Sequence, residues 1–114
     1  MSLWKRQAGI CEQYGAAFVP TDTEQIIGAA SNLGTGLLPL NGLRHPGRDS
    51  TSGWYLWAGE ELSQADDFFQ PLHAVHLQGV CPAVIPYLGL APGWRFLLAG
   101  DHADVWFDSE LVKE

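Results

Sequence analysis

"GWYLWAGEE", residues 53–61, places three aromatic rings in four positions and closes on two glutamates. In a strand, Trp54, Leu56 and Ala58 point one way, and Tyr55 and Trp57 the other. Both sets are apolar, so the stretch reads as a central strand covered on both faces. Gly53 and Gly59 bracket it, and Glu60 and Glu61 mark where the chain reaches water. The same residues have a second use, as an aromatic and acidic surface made for a partner.

Downstream, Asp66 and Asp67 precede Phe68, Phe69 and Pro71. Proline suits the first turn of a helix, because its missing N–H has no intrahelical acceptor there. This predicts a helix over 71–79. A second short helix is expected from Pro82 to about Leu88, kinked or broken early by Pro86. "APG" at 91–93 is a turn. "WRFLLAG" at 94–100 and "ADVWFD" at 103–108 read as two strands joined through "GDH" into an antiparallel hairpin.

Upstream, "NGLRHPGRDSTSG" at 41–53 is rich in Gly, Pro, Asp and Ser and reads as a loop. The segment "QIIGAA" has two readings, a helix capped by Asp22 or Thr23, or a short strand. The adjacent isoleucines and the glycines at 28, 34 and 36 favour a strand at about 25–30. "LWKRQAGICEQYG" predicts a first helix. Leu3, Ile10 and Tyr14 share one side with Cys11 beside them, Lys5, Glu12 and Gln13 face water, and Gly15 stands at the C-cap. Helix, strands, short helices and hairpin together give α+β, with a mostly antiparallel sheet in a single domain spanning 1–114.

The totals agree. The chain has 114 residues, of which 46% are hydrophobic and five are tryptophan, enough for one core without staples. The net charge of −7 is unevenly placed. Residues 1–57 carry four acids and four bases, while residues 58–114 carry nine acids and two bases. Such an acidic half repels phosphates, so nucleic acid is not an expected partner, whereas a basic protein is. The plain alternative is a solvated acidic surface that aids solubility. No secretory pattern is read at the N-terminus, and no apolar run approaches the roughly 20 residues of a membrane span. The expected compartment is the cytoplasm, with Cys11 and Cys81 reduced.

Chemistry was sought in four places. His73 and His76, three apart on the predicted helix, would share a face and could begin a metal site. A third ligand would have to come from His45, His102, Asp66 or Asp67, and none is fixed by spacing. The bland reading gives one histidine a core or cap hydrogen bond and leaves the other exposed. Arg44, His45, Asp49 and Ser50 put polar groups in one loop, but no G-x-S-x-G elbow accompanies them, and Arg44 is expected to pair with an acid. Cys11 on the apolar side of a helix, and Cys81 before Pro82, read as packing residues rather than nucleophiles. The acid pairs Glu60–Glu61 and Asp66–Asp67 read as solvated. No cofactor and no catalytic set are therefore expected. The alternatives are a small metal-dependent or hydrolytic enzyme using His73 and His76, and an oligomeric assembly subunit, such as a homodimer, joined through its aromatic strands.

The segments "GLRHP", "GWYLWAGEE", "DDFFQPLHAVHL", "PYLGLAPGWRFLLAG" and "DVWFD", over about 42–108, resemble a family of small bacterial immunity proteins of polymorphic toxin systems. The resemblance implies a non-enzymatic protein that binds and neutralises a toxin. It carries over no site residues. Charge and aromatic density give the expected binding surface: Glu60, Glu61, Asp66 and Asp67 as a rim facing a basic toxin domain, with Trp57 or another aromatic of 54–57 left exposed, or Phe68 or Phe69, as the anchor.

Overall fold

The computed structural model describes residues 3–48, 50–60 and 68–112, with Leu3 and Trp4 as backbone only. The first helix is present as α1, Leu3–Tyr14, and Gly15 takes the left-handed conformation that ends it (φ 72°). Among the described residues six strands follow: β1 Ile26–Ala30, β2 Leu40–Arg44, β3 Thr51–Ala58, β4 Phe69–His73, β5 Trp94–Ala99 and β6 His102–Phe107. They form one sheet in the order β4-β1-β3-β2-β5-β6. Among these strands β1 and β3 run parallel, and the other four pairings are antiparallel. The protein is thus α+β, with the expected C-terminal hairpin.

The "GWYLWA" strand lies in the middle of the sheet, and its period of two assigns the faces. Trp54 and Leu56 point to the layer made by α1, the short helix α2 (Leu77–Val80) and the 3-10 helix Pro82–Tyr87. There they meet Cys11, Ile27, Leu77, Val84, Ile85, Leu90 and Phe96 in the main core. Trp57 points the other way, into a smaller cluster with Ala30, Leu43, Phe68, Phe69 and Leu111. Leu111 arrives from the 3-10 turn Ser109–Leu111, which folds back after β6. Coverage of this second face is partial, because Tyr55 stays 38% exposed.

Two expectations fail for physical reasons. The segment 41–53 is not wholly a loop, since its first residues form β2, next to β3 in the sheet. Its composition misleads because each polar or small residue serves a distant partner. Gly42 lies under the Phe96 ring, where a Cβ would come within 2.3 Å of the ring. The Asn41 amide donates to the carbonyls of Pro39, Trp57 and Gly59. Arg44 is buried in a cage of carbonyls, and among the described residues no acid pairs with it.

The second failure is the helix over 71–79. Residues 69–73 are an edge strand, and helical structure begins only at the 3-10 turn Ala74–His76. The bonds Ser31 N–H to Phe68 O and Ala74 N–H to Gln25 O fix the alternation of the β1–β4 ladder. They leave Pro71, opposite Gly28, at a position whose N–H would face away from β1. An edge strand tolerates proline there because no ladder bond is lost.

Candidate functional site

Three segments of the chain are tied together by Arg44, which is 3% exposed. Its Nη1 donates to Val19 O and Leu90 O at 2.7 Å each, and its Nε to Ser52 O at 2.9 Å. The guanidinium also lies 5.5 Å from the centre of the Trp54 ring. Loss of water around the charge lowers its pKa to about 10, and the nearby Cys11 pushes slightly the other way. Leu88 O, in the same knot, accepts from Thr21 Oγ1 and Trp54 Nε1. This polar knot is structural. It fixes the N-terminal part of β3, where the open sheet face is built.

On that face the β1–β3 register slips between Ile26 and Gly28, so β3 bulges at Ser52–Gly53. The Ser52 hydroxyl repairs the gap by donating to Ile26 O and accepting from Trp54 N. Gly53 holds φ 91° there. Beyond the bulge, the Tyr55 ring lies across Gly28, edge-on to Phe69 at 5.2 Å and to His45 at 5.7 Å. Phe68 packs against Phe69 at 4.9 Å. Beside these rings is a cleft of about 380 Å³ lined by His45, Arg48, Thr51, Tyr55, Phe69 and Pro71, among others. Its chemistry is aromatic and partly cationic, suited to contact with another surface.

The expected surface residues fare differently. Trp57 is 4% exposed, so it is not an available anchor; Phe69 packs edge-on against it at 6.2 Å, and Leu111 packs against the same cluster. Tyr55 has the exposure that Trp57 lacks, and no local signal separates the two. Phe68 is half-buried, and Glu60 is exposed directly after β3. Glu61, Asp66 and Asp67 lie outside the described residues.

The other candidates are dispersed. His73 ends β4 and His76 ends the following turn, their rings 6.4 Å apart and nearly edge-on. Both side chains are exposed, and among the described residues no three His, Cys, Asp or Glu side chains gather as a metal site. His45 Nδ1 donates to Leu111 O, Asp49 lies outside the described residues, and His102 pairs with Asp104 at 2.9 Å. Cys11 and Cys81 are buried free thiols, and burial raises the pKa of both. Among the described residues, no helix is long and apolar enough to cross a membrane.

The family model for the Imm33-like domain matches residues 6–108, which takes in most of α1 and every strand of the sheet. The chain belongs to the Imm33-like family. Searches of curated proteins and of solved structures give no significant match. The Imm33-like match extends upstream of the region 42–108 that carried the resemblance in sequence, and includes β1 and most of α1. The Imm33-like name suggests a family of immunity proteins, and so a toxin as the general kind of partner.

Proposed function

We propose that this chain is a non-enzymatic immunity protein that binds a protein toxin in the cytoplasm and neutralises it by tight association. The observation that carries the reading is the Imm33-like match over residues 6–108. The surface supports it. Tyr55 and Phe69 offer aromatic area with little conformational freedom to lose, the kind of side chain that anchors interfaces. The acids of residues 58–114 give that half of the chain a net charge of −7, which steers a basic toxin domain toward it. In this reading Glu60, Glu61, Asp66 and Asp67 form the charged rim, while Tyr55, Phe68 and Phe69 form the apolar contact.

The test begins with capture from a lysate of the source organism, using the native chain as bait. A form with charge reversal at Glu60, Glu61, Asp66 and Asp67 serves as the second bait. Each protein captured by the native chain alone is then expressed in a susceptible host. The expected result is growth arrest that co-expression of the native chain relieves. If no captured protein is toxic, or if the chain relieves none of the toxicity, the reading is wrong.

A further inference from the structure

Among the described residues the sheet ends at two edge strands, β4 and β6, and they are built differently. On β4, Pro71 removes an outward N–H, and a single such gap discourages strand addition. On β6, "HADVWF", there is no proline, no lysine and no break in the register with β5. Long regular edges of this kind invite pairing and are usually blunted. This one instead exposes two large rings, Trp106 at 38% and Phe107 at 49%.

The hydrogen-bond alternation of β6 can be worked out. Asp108 N–H bonds to Gly93 O, and the β5–β6 pairs Arg95–Trp106, Leu97–Asp104 and Ala99–His102 continue that same set. These are the pairs that exchange bonds within the hairpin. Ala103, Val105 and Phe107 therefore turn their N–H and C=O groups outward. A second copy could join antiparallel about a two-fold axis, and charge selects the register. An axis at Asp104 sets that carboxylate against itself, and an axis at Trp106 sets Asp104 against Asp108. An axis at Val105 sets no acid against another. It pairs Val105 with Val105, Ala103 with Phe107, Asp104 with Trp106 and His102 with Asp108. The small side chain meets the large one, and His102, paired with its own Asp104, comes opposite Asp108, which is bonded to Arg95. Registers centred nearer either end of the strand overlap fewer residues.

We infer that the outer edge of β6 is a self-association site, at which two copies pair antiparallel about Val105 into one continuous sheet. This is independent of toxin binding. The interface is isologous, as a closed dimer requires.

The solution mass, measured by sedimentation across a dilution series, is expected to be twice the 12.5 kDa of the chain and to fall on dilution. Val105→Pro removes an outward N–H but no β5–β6 bond, so it is expected to leave the far-ultraviolet spectrum unchanged and give a monomer. Cysteine variants fix the register without depending on a loss. Val105→Cys is expected to form a disulfide-linked dimer on mild oxidation, since facing residues of a bonded pair lie about 5.5 Å apart at Cα. Asp104→Cys is not, because the two copies of residue 104 would be diagonal neighbours at roughly 7–8 Å. Both native cysteines are buried and should not compete. A native chain that stays monomeric at every concentration overturns the inference. So does a dimer that Val105→Pro leaves intact, or cross-linking at 104 in preference to 105. If the chain is monomeric and Val105→Pro abolishes toxin neutralisation, the edge takes a toxin strand and not a second copy.

Discussion

Arg44 and Leu90 lie 46 residues apart and are joined by a 2.7 Å hydrogen bond from a buried guanidinium to a main-chain carbonyl. The same guanidinium bonds Val19 O and Ser52 O, so a single side chain satisfies acceptors on three separate segments. Replacing it by methionine keeps much of the volume but strands these carbonyls. An unpaired buried acceptor costs roughly 1–3 kcal/mol. Arg44→Met should therefore lower stability by several kcal/mol, on the order of the sum over those acceptors, as read from urea unfolding. Arg44→Lys should recover only part of the loss, since an ammonium cannot reach three carbonyls in the geometry of the planar fork. If the methionine variant is as stable as the native chain, the knot is not what holds these segments.

The relation between Tyr55 and Gly28 can be tested in the same way. A Cβ on Gly28 would lie 2.6 Å from the Tyr55 ring. Gly28→Ala should push the ring outward and destabilise by about 1–3 kcal/mol, the usual cost of overpacking. In Tyr55→Ala the obstruction is gone. Adding Gly28→Ala to that background should cost much less, and a double-mutant cycle would report the difference as coupling. Additive effects would show that the ring does not rest on the glycine.

The elements set by neighbours in sequence are legible in it. The amphipathic period of α1, the isoleucine pair of β1, the "GWYLWA" alternation and the β5–β6 hairpin all depend on neighbours in sequence. What was missed depends on distant contacts. Asn41, Gly42 and Arg44 look like loop residues until Phe96, the carbonyl at Gly59 and those at Val19 and Leu90 are brought beside them. Pro71 looks like a helix start until the sheet order places it on an outer edge. The same limit applied to the surface. The acids could be named as charged positions, but which of Tyr55 and Trp57 is exposed depends on the cluster that buries Trp57, to which Leu111, more than fifty residues away, contributes.

Alkaline pH should destabilise the protein through its thiols. Burial pushes the pKa of Cys11 up, with Arg44 opposing in part, and burial likewise raises Cys81. An acid whose pKa is raised on folding stabilises fully below its unfolded value, here 9.0, and that contribution is lost as pH rises above it. Arg44 acts in the opposite direction, because its pKa, lowered to about 10, leaves the unfolded chain with more protons above that pH. The thiol effect should therefore show most clearly between about pH 8 and about pH 10. The urea midpoint is expected to fall across that window in the native chain. A Cys11→Ala, Cys81→Ala variant should be less stable at neutral pH and should show a flatter slope. Equal slopes in the two proteins would mean that the thiols titrate normally.

Toxin binding separates the roles of charge and aromatic contact. If Glu60, Glu61, Asp66 and Asp67 form a rim that steers a basic domain, their effect is mainly on the association rate, and salt screens it within roughly 8 Å at physiological ionic strength. Charge reversal at all four should slow association and flatten the dependence of the rate on salt, with little change in dissociation. Tyr55→Ala removes an apolar contact that salt does not screen. It should instead speed dissociation at every salt concentration, by the ten-fold or more typical of an anchor worth at least about 1.4 kcal/mol. Trp57→Phe leaves the buried cluster aromatic and exposes nothing new, so it should change neither rate. Surface plasmon resonance on the captured toxin reads all three variants. Unchanged association at low salt in the charge-reversed form would remove those four acids from the interface. Unchanged dissociation in Tyr55→Ala would move the contact away from the open sheet face.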